Sequence, residues 1–424
     1  MELIEVQSNN VKTTFIKTDK FKTITISIAF IGEFSPKNAT KRSLLTRLLT
    51  VSTKKYPTKK AMANKLYDLY DASLMVSTYP SYKASVTVFN YSFINPKFIA
   101  GSDDLIKNAI AFLREVIFKP NVIKQAFSDK DFLEQKRILK ENIKNIYNNK
   151  SRYALRQLLA NMSRDEIFAV SSLGTVEDLE PLTGHDIYQT YKNMLKNENA
   201  TIFVTGDFKN QNMLENLKIL GDFKSNPLAA ATVSEDEVAI EKVKEIVEKQ
   251  NINQAKLLMG FRTAVNTVSD MFPASLLFNA MLGGIFSSDL MRVIREEHSL
   301  AYYIASQVIS DVKLLIVSAG IDQNEYQMAS DLVIKQLELY KQGEINADLL
   351  AIAQEHIINE LVEIEDNPFK YTAFLLRNYL HNINMSITST VEKIKKVTVD
   401  DIVAVAKGIN LDTIFLLAGD DYHG

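Results

Sequence analysis

The chain has 424 residues, of which 46% are hydrophobic and 24% charged; at roughly 150 residues per domain it is too long for one, and two or three are expected. Lys and Arg number 49 against 51 Asp and Glu, so the basic excess of a dedicated nucleic-acid binder is missing. With no cysteine, disulfides, zinc ribbons, iron–sulfur clusters and thiol catalysis are excluded.

The first ten residues, Met1–Asn10, show neither a basic nor an apolar signal segment, and no run of about 18 apolar residues occurs. The expectation is a cytoplasmic protein without a membrane span. Enrichment in Lys, Asn and Ile is a compositional hint of an AT-rich bacterial genome. Residues 23–30 alternate apolar and polar with period two and predict a strand. An apolar helix over 40–49 follows, then strands at 72–79 and 83–93, then a long amphipathic helix near 126–148. Residues 201–207 read as a buried strand.

The second half repeats this order. A strand is expected at 254–261, followed by an apolar helix, strands at 301–309 and 312–319, and an amphipathic helix at 347–365. Residues 175–187 and 390–402 echo one another at an offset of 215, with six of thirteen positions identical. Each copy is followed by a strand run, Thr201–Asp207 and Thr413–Asp420. Between the halves lies a small, polar, acidic stretch around 225–237 that reads as a linker. The expected fold is therefore α+β, a tandem duplication of a roughly 200-residue unit whose mostly antiparallel sheet is covered by helices. The boundaries are 1–225, a linker at 226–240, and 241–424, with the two domains facing a cleft.

Chemistry-bearing motifs are scarce. No phosphate-binding glycine loop, dinucleotide fingerprint or nucleophile elbow is present. The histidines, His185, His298, His356, His381 and His423, are scattered. His356 and Glu360 have the spacing of a helical surface ion pair. No self-contained zinc site is expected, because such a site needs several converging ligands.

The segment from Leu282 to Tyr302, with Gly283-Gly284, then Arg295-Glu296, then Leu300-Ala301-Tyr302, resembles the second-domain signature of the pitrilysin/insulinase-like metallopeptidases. Arg295 and Tyr302 stand seven apart, as in that pattern, although Ser299 replaces the usual Gly before the Leu. The resemblance extends over nearly the whole chain and is nearest to the YmfF-like group of non-catalytic bacterial members. In the family, the first half carries H-x-x-E-H, two zinc-binding His and a general-base Glu on one helix face. Here the matching helix sets Ser43, Thr46 and Arg47 at those positions. Ser is a poor ligand, Thr is no base, and Arg brings a fixed positive charge. Glu134 and Glu141 resemble the family's later carboxylate helix, with Glu141 the leftover third ligand; the plainer reading is a solvated residue on a charged helix.

The resemblance implies a subunit that holds no metal itself. It would pair with a homologous H-x-x-E-H chain that carries Zn²⁺, and would lend Arg295 and Tyr302 to peptide binding and oxyanion stabilisation. A guanidinium and a phenol O–H both remain donors at neutral pH. Gly283 and Gly284 would admit a peptide substrate close to the backbone, or simply make a tight turn. Tyr303, on the opposite face of the strand, serves as the control. The alternative is a non-catalytic peptide-binding or scaffold protein of the same fold. A self-sufficient enzyme of another kind has no nucleophile–base constellation to support it.

Overall fold

The computed structural model describes residues 1–8, 10–99, 104–163, 168–208, 212–221, 225–228, 232–235 and 238–422. His423 and residues 229–231 and 236–237 of the expected linker lie outside the described residues. The chain forms two compact units: residues 1–145 with 170–231 and 366–376, and residues 146–169 with 232–365 and 377–424.

The first unit is built on β1 (Glu2–Ser8), β2 (Val11–Lys17), β3 (Thr23–Glu33), β4 (Ser73–Ser81), β5 (Ala84–Ile94) and, after the two-residue pair β6 (Val122–Ile123) and β7 (Ala126–Phe127), β8 (Asn199–Gly206). The sheet order is β1-β2-β8-β3-β5-β4. Only the β2–β8 pairing in this sheet is parallel. Ile24, Ile26, Ile28 and Phe30 of the alternating β3 enter one core with Leu44, Leu45, Leu48 and Leu49 of helix Pro36–Val51 and Leu113 and Val116 of helix Leu105–Phe118. Each fully buried leucine there stabilises the unit by about 1.5–3 kcal/mol relative to exposure.

The second unit carries β9 (Lys244–Lys249), β10 (Ala255–Arg262), β11 (Ala301–Ile309), β12 (Leu314–Ile321) and β13 (Asn410–Ala418), in the order β11-β12-β10-β13-β9. Strand for strand this matches the first sheet without β1. β9 takes the place of β2, β13 of β8, β10 of β3, β12 of β5 and β11 of β4. The one parallel pair, β13–β9, also falls where β2–β8 does. The duplication read from the sequence is thus carried in strand order and direction. The echo has a local cause as well. Thr183 and Asp186 form a capping box on helix Gly184–Asn197, and Thr398 and Asp401 form the same box on helix Val399–Lys407.

The division differs from the single cut expected near 225–240: residues 146–169 group with the second unit and 366–376 with the first. Helix Lys150–Met162 packs on β10 and β13 of the second unit, through Ala154, Leu158 and Met162. Gly260 makes this possible, because a Cβ there would come within 2.1 Å of Met162 Sδ. Residues 232–235 of the expected linker are tied into the second unit: Thr232 Oγ1 donates to the Leu380 carbonyl at 3.0 Å, and the Ser234 N–H to the Asp311 carbonyl at 2.7 Å.

Candidate functional site

In the second unit the segment from Gly283 to Tyr302 is shaped by two π-wound stretches, Ala280–Gly284 and Met291–Glu297. Such widened turns shift the residues after them and recur at functional sites. Gly283 is buried against β11, where an added Cβ would stand 2.8 Å from the Ser306 nitrogen. The packing is locked by Ser306 Oγ, which donates to Asn279 Oδ1 at 2.9 Å. Gly284, in contrast, is exposed.

Leu290 and Ile294 anchor the second stretch in the core. Asp289, also buried, accepts from Tyr340 Oη at 2.6 Å and from Arg292 Nη2 at 2.8 Å. Arg292 reaches Glu297 as well, at 2.5 Å. The hydrogen bond that Arg292 donates to Asp289, with the one to Glu297 adding to it, holds its guanidinium above the ordinary range. Asp289 and Glu297 are therefore engaged by Arg292. Arg295 is exposed and has no ion-pair partner among the described residues.

The stretch ends with the His298 N–H on the Val293 carbonyl and the Leu300 N–H on the Ile294 carbonyl. Between them Ser299 takes φ 56°, the left-handed conformation. This accounts for the glycine that the resembling family has here. β11 then opens with a bulge: Ala301 pairs with Ile321 and Tyr303 with Gly320, so Tyr302 is the extra residue. Bulges re-aim side chains, and Tyr302 is 70% exposed. Arg295 and Tyr302 thus flank one helix-to-strand turn, both exposed and both donors without a partner among the described residues.

The helix matched to the zinc motif lies in the first unit and gives its residues other work. Ser43 and Thr46 are buried, and Thr46 Oγ1 donates to the Ser43 carbonyl at 2.9 Å. Arg47 is half-buried, and that burial lowers its guanidinium pKa below the ordinary value. Glu141 is exposed and pairs with Arg137 at 2.7 Å. Glu134 pairs with Lys59 at 2.7 Å, and that hydrogen bond lowers its carboxyl pKa. His356 meets Glu360 at 3.4 Å on an exposed helix face. Among the described residues no group of three or more His, Asp or Glu converges as a metal cage. Also among them, no helix is long and apolar enough to cross a membrane.

One feature escaped the sequence reading. Arg42, next to Ser43, is buried and forms a two-pronged ion pair with Glu198, the residue before β8, while its Nη1 also donates to Thr87 Oγ1 at 3.2 Å. Burial raises the Glu198 carboxyl and Arg42 draws it back. No local signal marks it, since Arg42 stands between Lys41 and Ser43 in the sequence.

Residues 181–357 match the model of the Peptidase M16 inactive domain. With the duplicated fold, this makes the chain similar to the inactive M16-like peptidases. Among individual proteins it is 28% identical to the probable inactive metalloprotease YmfF of Bacillus subtilis, over 96% of this chain and 95% of that one. A conserved protein from Enterococcus faecalis superposes with a TM-score of 0.93 at 25% identity, covering 100% of both chains. The peptidase M16 inactive domain from Pseudomonas fluorescens shares the fold, with a TM-score of 0.82 at 15% identity over 100% of this chain and 99% of that one.

Proposed function

We propose that this chain is the non-catalytic subunit of a heteromeric zinc peptidase and supplies Arg295 and Tyr302 to the partner's site. The observation that carries the reading is the exposure of both donors on either side of a turn built by a π-wound helix end and a β-bulge. Zinc held by a partner's H-x-x-E-H helix would polarise the scissile carbonyl and its attacking water. The guanidinium of Arg295 and the phenol O–H of Tyr302 would then donate to the oxyanion as charge develops on it. Exposed Gly284 would let an extended peptide approach the backbone, while Gly283 serves packing.

The experiment is to co-purify the chain with a homologous H-x-x-E-H chain and measure peptide hydrolysis. Arg295→Ala and Tyr302→Phe should each lower the rate by about 10²–10³, and Tyr303→Phe should leave it unchanged. Equal loss from Tyr303→Phe, or no loss from any of the three, overturns the proposal. A second reading, a peptide-binding or scaffold protein, is favoured by Phe286, which is 73% exposed just after the glycine pair. Stable capture of a partner lacking every zinc ligand would support it.

A further inference from the structure

We propose that the first unit carries a nucleotide-binding pocket, separate from the zinc-motif helix. A cavity of about 450 Å³ is lined by four cations, Lys55, Lys65, Arg114 and Lys119, and by one acid, Glu115. That acid is committed: it is buried, its Oε1 accepts the Lys55 backbone N–H at 2.8 Å, and its Oε2 lies 3.9 Å from Lys119 Nζ. Lys55, Lys65 and Arg114 have no carboxylate partner among the described residues. A chain whose net charge is −2 therefore gathers an excess of three positive charges around one concavity, where low-dielectric walls focus the field on an anion.

The backbone that carries Lys55, Tyr56 and Lys119 is cross-braced. The Lys54 N–H bonds the Lys119 carbonyl at 2.9 Å, the Thr53 N–H bonds the Tyr56 carbonyl at 2.9 Å, and the Tyr56 N–H bonds Thr53 Oγ1 at 3.0 Å. Lys55 and Tyr56 thus sit on a cross-braced segment. The Tyr56 ring packs against buried Phe112, with centroids 5.7 Å apart, and gives the cavity an aromatic wall. The guanidinium fork of Arg114 suits two phosphate oxygens, and the lysines act as point charges beside it. A flat ring system on the organic part of the ligand would stack on Tyr56 once Lys55 Nζ, 5.5 Å from that ring's centroid, swings toward the phosphates. The volume falls within the range of small-ligand sites. Phosphates plus an aromatic ring specify a nucleoside diphosphate better than a bare anion.

The test is calorimetric titration of the full chain with ADP, pyrophosphate and adenosine at about 150 mM salt, where diffuse attraction is screened. ADP should bind, with pyrophosphate and adenosine each weaker by about ten-fold or more. Arg114→Gln and Lys65→Gln should each weaken ADP about five- to ten-fold without shifting the melting temperature of the free protein. Lys55→Gln replaces either variant that fails to fold. Absence of heat with millimolar ADP, unchanged ADP affinity in the folded variants, or pyrophosphate binding as tightly as ADP would each overturn the proposal.

Discussion

Tyr302 and Tyr303 are consecutive residues of β11, yet the bulge gives them opposite environments. Tyr302 is 70% exposed and pairs with nothing across the strand. The Tyr303 ring instead lies over Gly320, where an added Cβ would meet its Cε1 at 2.5 Å, and Lys256 Nζ stands 5.4 Å from its centroid. Tyr302 is a donor without a partner among the described residues, and Tyr303 is packed, with its Oη 3.4 Å from Ser151 Oγ. Tyr302→Ala should therefore leave stability within about 0.5 kcal/mol, and Tyr303→Ala should cost about 1–3 kcal/mol. Urea denaturation of the two variants reads this directly. A larger loss from Tyr302→Ala would mean that the exposed ring supports the fold.

Much of this architecture is legible because it rests on local signals. Period-two alternation marks β3, and the paired Thr-x-x-Asp sequences reveal the duplication because each must satisfy the same helix N-terminus. The departure at Ser299 marks a backbone turn that a residue pattern can show. Other features leave no local trace. An amphipathic face such as that of helix Lys150–Met162 does not say which sheet it will cover. Arg42 and Glu198 are 156 residues apart, and neither has a neighbour in sequence that announces the other. Arg292, rather than Arg295, pairs with Asp289 and Glu297, a choice that spacing alone cannot decide.

Ser299 supplies the next prediction. A side chain in the left-handed region costs roughly 1 kcal/mol that glycine avoids. Ser299→Gly should stabilise the protein by about 0.5–1 kcal/mol, and the β-branched Ser299→Val should destabilise it by more than that. Thermal denaturation of both distinguishes strain at φ 56° from a hydroxyl contribution, under which glycine would also destabilise.

The Arg42–Glu198 pair should behave as a unit. Removing one member strands a buried charge, so Arg42→Met or Glu198→Gln alone should cost about 3–5 kcal/mol. Arg42→Met combined with Glu198→Leu should recover most of that loss, since an apolar pair of similar volume removes both desolvation penalties. Additive losses in the double variant would show that Arg42 matters through Thr87 and its packing rather than through Glu198.

The capping boxes carry a pH prediction. The Asp186 carboxyl is held below its ordinary range, first by the Thr183 hydroxyl and then by the Thr183 backbone N–H. Those bonds are 2.6 and 2.8 Å. A carboxyl whose folded pKa is depressed contributes stability that is complete above its unfolded pKa, near 3.9. The contribution is lost as pH falls through the folded value. Thr183→Ala and Thr398→Ala should each cost about 1 kcal/mol at neutral pH, the usual value of an N-cap. Asp186→Ala should cost a similar amount at pH 6, and its gap from the wild type should narrow as denaturation is repeated below about pH 4. A gap that stays constant down to pH 3 would mean that the carboxylate charge plays no part in the cap and that helix Gly184–Asn197 is held by its buried face alone.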